Sequence, residues 1–207
     1  MRKRSIFSVV GTLLGLLGAV DAMAFEKRAY EVVERQDEIE IRDYAPAVVA
    51  EISLEGDFEE VGGPAFRVLA AYISGENKKK QSLEPGGLNR KNQDSERIAM
   101  TAPVTQEATQ KGYRVTFMMP SGRTLQDLPA PRDARVRLEK ESAQRFAAIR
   151  YSGFWSQNRY QEELDTLLAW MDSRQLLAEG EPVWARYDPP FMPWFLRRNE
   201  ILIPITP

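Results

Sequence analysis

The side chains with the most binding chemistry to offer stand near the C-terminal end, in Phe191-Met192-Pro193-Trp194-Phe195-Leu196, bounded by Pro190 and by Arg197-Arg198. Five of these six are large and apolar or aromatic, and they fall between two strand-like runs, so they form a connection. A connection of that composition is hard to bury completely. Exposed apolar patches mark contacts with a ligand, a partner or a membrane. Carboxylates offer less. Glu59/Glu60 and Glu162/Glu163 are adjacent pairs in helical segments, and adjacent helical side chains do not face one another. They read as solvated faces, not as an acid–base pair. The 207 residues contain neither histidine nor cysteine. That removes Ser-His-Asp and Cys-His catalysis, histidine-bound zinc and a histidine-ligated heme. There is no Gly-rich phosphate loop, GxSxG elbow or zinc spacing. The expectation is a binding protein and not an enzyme.

The first residues bear on where such a protein works. Arg2, Lys3 and Arg4 precede an apolar run from Ile6 to Val20, and Ala22-Met23-Ala24 supplies an A-x-A pattern. This is the composition of a secretory signal peptide, too short in its apolar part for a comfortable membrane span. Residues 1–24 are therefore expected to be a signal peptide and residues 25–207 one domain, periplasmic or secreted. Without residues 1–24 the net charge moves from −2 to −4. A mildly acidic chain with no large basic block argues against nucleic acid as a partner. A monomer held together by its core alone, without disulfides, is expected.

The elements that must position the apolar connection are mostly strands. Tyr30–Arg35, Glu38–Asp43 and Ala47–Glu55 are rich in β-branched and aromatic residues, and Ala50, Ile52 and Leu54 alternate with Glu51 and Ser53. A helix follows. Its face is Val61, Phe66, Leu69 and Ile73. It starts either at an Asp57/Glu60 capping box or at Pro64, and Gly75 suits its end. Asn77–Ser95 reads as a polar surface loop, its Lys78-Lys79-Lys80 triplet a solvated face. Ile98–Gln106 and Tyr113–Met119 read as paired strands. Val136–Glu141 and Arg145–Ser152 are strands, then Tyr160, Leu164, Leu167, Leu168 and Met171 make a helical stripe. Val183–Tyr187 and Glu200–Ile205 close the series. Trp155 and Trp184 read as core, with Trp170 off the stripe. A shift of ninety-seven places sets Ala50 on Ala147, Ile52 on Ile149, Gly56 on Gly153 and Phe58 on Trp155. The fold class is thus α+β, a distorted antiparallel β-barrel or curved sheet. It consists of two β-rich halves related by a pseudo-twofold, each with one packed helix.

Several segments, in order, resemble the SOUL heme-binding family. They are Tyr30-Glu31-Val32-Val33, Ile39 to Pro46, Tyr72 to Asn77, Ile98 to Val104, Tyr187-Asp188-Pro189-Pro190 and Arg197-Arg198-Asn199-Glu200. The resemblance implies a distorted barrel flanked by two helices, and a tetrapyrrole lying in a shallow apolar groove. One wall would be the first helix, through Gly63, Phe66, Arg67 and Ala70. The other would be the connection, through Phe191, Met192, Trp194 and Phe195. Arg67, Arg197 and Arg198 would meet heme propionates as charge-assisted pairs. Asp43 stands where family members that ligate iron carry histidine, so heme or another porphyrin is expected without a strong protein axial ligand. Met100, Met192 and Tyr187 are the remaining candidates. Met100-Thr101-Ala102-Pro103 also reads as structural, and Arg197 as a tie between loop and barrel. The implied function is a non-enzymatic carrier or buffer of heme or porphyrin. Two alternatives stand beside it: an interaction or membrane-surface module using residues 191–196, and a small-molecule hydrolase on the same fold.

Mass spectrometry of the exported protein is expected to find Phe25 or a near neighbour as the first residue. Full-length chain recovered only from membranes contradicts the signal-peptide reading.

Overall fold

Period-two alternation builds most of the molecule. The computed structural model describes residues 25–79 and 94–206; the segment expected to be a signal peptide and most of the polar loop, including Lys80, lie outside them. In chain order the strands are β1 (Glu26–Lys27), β2 (Tyr30–Gln36), β3 (Ile39–Tyr44), β4 (Ala47–Leu54), β5 (Asn77–Lys78), β6 (Thr101–Ala102), β7 (Val104–Thr109), β8 (Gly112–Met118), β9 (Ala130–Pro131), β10 (Arg137–Glu141), β11 (Gln144–Tyr151), β12 (Val183–Arg186) and β13 (Asn199–Pro204). The helices are α1 (Gly62–Ile73), after β4, and α2 (Gln157–Ser173), after β11, with a 3-10 turn at Trp194–Leu196.

Nine strands form one curled antiparallel sheet in the order β10-β4-β8-β7-β12-β13-β11-β3-β2. The order is symmetric about the β7–β12 pair. β8 answers to β13, β4 to β11, β10 to β3, and α1 to α2. The pseudo-twofold expected from the ninety-seven-residue shift is therefore present, with β2 as an addition at one edge. Gly56 and Gly153 leave the equivalent strands β4 and β11 at φ +137° and +138°, a conformation that a side chain disfavours.

Each helix covers its own half of one sheet face. Ala65, Leu69 and Tyr72 of α1 pack on Ala50, Ile52, Val115 and Phe117. Leu164, Leu167 and Met171 of α2 pack on Ile149, Trp184, Ile201 and Ile203. The opposite, concave face is lined by Tyr44, Ala148, Ala185, Tyr187 and Leu202. Three expectations change. The Asp57/Glu60 box does not form, because the Asp57 carbonyl instead accepts from the Glu60 and Val61 N–H in a turn, and α1 begins at Gly62 with no side-chain cap. Asn77 is not a surface residue. It is fully buried, donating to the Tyr72 and Glu96 carbonyls at 2.8 and 2.7 Å and accepting from the Glu96 N–H. Ile98–Met100 is not strand, and Pro103, whose bond to Ala102 is cis, separates β6 from β7. Leu168 also leaves the α2 stripe and is 40% exposed, whereas Leu167 is fully buried.

Charges are buried on the concave face. Glu200 of β13 has no exposure. It accepts from Arg42 of β3 at 2.7 Å, Arg198 at 2.6 Å and the Tyr187 hydroxyl at 2.8 Å. Burial alone would raise the Glu200 pKa. The hydrogen bonds and charges of Arg42 and Arg198 outweigh it and hold the carboxyl below its ordinary 4.5. A carboxyl depressed on folding adds stability above its unfolded value and loses it as pH falls through the folded value.

Three outcomes follow for stability. Denaturation at stepped pH is expected to show a flat plateau from about pH 5.5 to 7.5, since no histidine titrates, and a loss below about pH 4.5. Glu200→Gln is expected to cost about 3–5 kcal/mol at neutral pH and to make the acid loss shallower. In α2, Leu167→Ala is expected to cost about 2–5 kcal/mol and Leu168→Ala under about 1, by urea melts.

Candidate functional site

The connection between β12 and β13 is apolar and outward-facing. Phe191 is 84% exposed, Leu196 62%, and Trp194 and Phe195 are about half exposed. Proline stiffens the backbone here: Pro193 precedes the 3-10 turn, and its carbonyl accepts from the Leu196 N–H at 2.9 Å. Both flanking segments hold the loop. The Arg198 N–H donates to Asp188 at 2.6 Å. Arg197 donates to the carbonyls of Met192 at 2.8 Å and Pro190 at 2.6 Å, while its guanidinium lies 4.6 Å from the Trp155 ring centre. Arg197 is thus the tie between loop and sheet.

A residue outside the sequence expectation completes the patch. Phe154, just after β11, stacks on Trp194 with centroids 5.1 Å apart and planes 21° apart, and Phe195 meets Trp194 edge-on. The Gly153 N–H donates to the Trp194 carbonyl at 3.0 Å, which fixes the stack. Phe154 could have been suspected from its place beside Trp155 and after the turn glycine.

On α1, Gly63, Phe66 and Ala70 lie at helical spacing on one flank. Phe66 stays 41% exposed and meets Phe117 edge-on, while Ala70 packs partly into the core. A residue also missed, Arg186, lies between the start of α1 and Trp155. Its guanidinium lies against the Gly62 backbone and 5.4 Å from the Trp155 ring centre. The sequence carried a signal for it: Arg186 shares strand parity with Trp184, which places a charge on the helix-covered face of a central strand.

The expected arginine trio does not assemble. Arg67 is exposed and lines a shallow depression with Val68, Asp133 and Val136, its Nη1 3.7 Å from the place a Cβ at Gly63 would take. Arg198 lies on the concave face, bound to Glu200 and 4.2 Å from the Tyr187 ring centre. Only Arg197 stands at the loop. The physical reason is parity: Arg198 and Glu200 share one side of the strand. Iron-ligand candidates also narrow. Burial raises the Tyr187 hydroxyl well above its ordinary value, and it donates to Glu200. Met100 packs against the core under α1. Met192, half-buried on the loop, remains. Asp43 forms a two-pronged pair with Arg145 at 2.6 and 2.7 Å, and that hydrogen bond lowers its pKa.

The concave face holds a separate cavity of about 290 Å³, floored by Val49, Met118, Phe146 and Leu202. Its rim charges are matched, Arg28 with Glu141 and Arg114 with Glu107. Among the described residues no cluster of acidic side chains could hold a metal ion, and no helix is long and apolar enough to cross a membrane.

This geometry sits on a known architecture. No curated protein matches the sequence. The EcmrR C-terminal domain superposes with a TM-score of 0.57 at 12% identity, covering 86% of this chain and 98% of that one. A hydrolase from Listeria innocua gives 0.52 at 12% identity, covering 84% and 94%. An uncharacterized conserved protein from Listeria innocua gives 0.53 at 11% identity, covering 82% and 92%. At these identities the likeness is one of fold. The SOUL heme-binding protein model, in contrast, matches residues 25–85 and 86–204. Both sheet halves, both helices and the aromatic connection fall within that match, and the chain belongs to the SOUL heme-binding protein family.

Proposed function

We propose that the protein is a non-enzymatic carrier or buffer of heme or a related porphyrin in the periplasm or outside the cell. The porphyrin lies on the aromatic patch of Phe154, Trp194 and Phe195, with Phe66 and Gly63 of α1 as the facing wall. The observation that carries this reading is the stacked, outward-facing Phe154–Trp194 pair, 5.1 Å apart, on a backbone already held by Pro193 and Arg197. Preorganised aromatic surface lowers the ordering cost of binding a flat apolar ligand. Burying roughly 300 Å² at about 25 cal/mol/Å² yields roughly 7–8 kcal/mol gross, from which association costs remove several. Micromolar affinity suits a carrier.

The residues fit a porphyrin face better than a bound iron. Histidine and cysteine are absent from the chain, and the Tyr187 hydroxyl is engaged by Glu200. Were heme bound, Met192 on the same loop would be the residue to offer its iron a weak sulfur ligand. A lipid-seeking role is the second reading, favoured by the 84% exposure of Phe191 at the loop tip. The hydrolase reading has less support. The fold likeness to the Listeria innocua hydrolase is at 12% identity, and the acidic residues at the concave-face cavity, Glu107 and Glu141, are paired with arginines.

Titration of the mature protein tests this. Iron-free protoporphyrin is expected to bind within about tenfold of hemin, or about 1.4 kcal/mol, and to quench Trp194 fluorescence. A far tighter hemin complex with a low-spin six-coordinate spectrum would reveal a strong ligand and overturn the porphyrin-face account. Trp194→Ala is expected to weaken porphyrin binding by about 1–3 kcal/mol with stability nearly unchanged. If liposome binding falls instead and porphyrin affinity holds, the loop is a lipid wedge.

A further inference from the structure

Arg186 is a charge without a counter-charge among the described residues. It stands at the end of β12, at the centre of the sheet, on the face covered by the helices. Its Nε is buried and has no hydrogen-bond partner. Among the described residues its side chain makes one hydrogen bond, a long one of 3.4 Å from Nη2 to the Gln106 amide oxygen. That amide is already directed elsewhere, its Nε2 donating to the Phe58 carbonyl at 2.7 Å. No acidic side chain pairs with Arg186 among the described residues. Two indole rings surround it instead, with centres at 4.6 Å for Trp184 and 5.4 Å for Trp155. Burial lowers its pKa to about 10, so it stays charged at neutral pH. An uncompensated buried charge is costly, and counter-charge relieves it.

The guanidinium points at the first turn of α1. A Cβ at Gly62 would stand 2.9 Å from Nη1 and 3.1 Å from Nη2. Glycine at this place lets Arg186 lie against the helix backbone. α1 is twelve residues long and starts without a side-chain cap. The Gly62 and Gly63 N–H groups have no hydrogen-bond partner among the described residues, and Gly63 is exposed. Two free backbone donors, the positive end of the helix dipole and an unpaired planar guanidinium therefore converge. Each favours an anion. The fork of donors on arginine matches the two oxygens of a carboxylate.

We propose that Arg186 and the Gly62-Gly63 turn form a carboxylate-binding site at the polar end of the aromatic groove. Arg186 and Arg197 both lie against the Trp155 ring, but Arg197 is held by loop carbonyls. Arg186 is thus the central cation of the site, with Arg67 at its outer side, its Nη1 3.7 Å from the place a Cβ at Gly63 would take. The carboxylate belongs either to a tetrapyrrole propionate, which rests on the function proposed above, or to a free small organic acid.

The test compares protoporphyrin IX with its dimethyl ester, and separately titrates benzoate, on native protein and on Arg186→Met and Arg186→Lys. Thermal melts establish that each variant folds, and amide NMR follows Gly62 and Gly63. The expected result is about tenfold tighter binding of the acid than of the ester. That ratio falls to near one in Arg186→Met and lies between in Arg186→Lys, and both glycine amides shift on binding the acid. Equal binding of acid and ester in native protein, with no glycine shift from benzoate, overturns the site while leaving porphyrin binding standing. Saturable glycine shifts from benzoate that Arg186→Met abolishes, with neither porphyrin bound, uphold the site with a free acid as its ligand and remove the tetrapyrrole reading. No binding of either kind overturns both. If a variant fails to fold, the acid-to-ester ratio and the glycine shifts in native protein decide alone.

Discussion

Neither half of the sheet owns its outer strand. β3 belongs in sequence to the first half and pairs with β11 of the second; β10 belongs to the second and pairs with β4 of the first. This exchange ties the two pseudo-symmetric halves into one cooperative body, because a half without its partner would expose a ladder edge and the apolar face under its helix. Ion pairs lock the exchange at both places. Arg42 of β3 reaches Glu200 of β13 across β11, and Arg137 of β10 reaches Glu51 of β4 at 2.9 Å. Glu200 has no exposure and Arg42 almost none. A buried pair of this kind adds little net stability over apolar packing, yet breaking one partner is costly. Its consequence is specificity: a register slip on β3 would turn Arg42 to the helix face and leave Glu200 uncompensated.

The exposed aromatic loop lies where the two halves differ. β7 and β8 are joined by a tight turn at Gln110 and Lys111, whereas their counterparts β12 and β13 are joined by residues 187–198. The second half has grown a connection where the first has a turn, and all the exposed aromatics of the loop belong to that growth. The surrounding sheet supplies the rigidity. Arg197, Asp188 and Gly153 bind the loop to strand ends that the core already fixes. Sites built on loops are useful when the scaffold beneath does not move.

The same symmetry explains why Arg186 is exposed to a helix end at all. The centre of the sheet, between α1 and α2, is the one stretch of the helix-covered face that neither helix fully claims. Phe58, Trp184 and Tyr160 fill part of it with ring contacts at 4.7 to 6.0 Å. Arg186 fills the rest, against the glycines that open α1. The charged side chain there lies against the Trp184 and Trp155 rings with no acidic partner among the described residues, and a helix N-terminus is where an anion fits.

The sequence by itself determined the fold class, the two halves, the membership of nearly every strand and the apolar connection. Alternation and helical stripes report which face of each element is buried, and that information is local. The absence of histidine and cysteine likewise excluded chemistry without any coordinates. Only the tertiary structure decided which side chains share a space. Arg67, Arg197 and Arg198 are alike in sequence terms, yet one faces outward, one ties the loop and one is buried against Glu200, because each follows the parity or pitch of its own element. Arg186 and Phe154 drew no notice, because their partners come from Gly62, Trp155 and Trp194, distant in sequence or on another element. Asn77 looked like part of a polar loop, and its burial depends on carbonyls of Tyr72 and Glu96 that only folding brings to it. Parity along a strand is written in neighbouring residues; which strands meet across the pseudo-twofold, and what then stands beside an unpaired charge, is not.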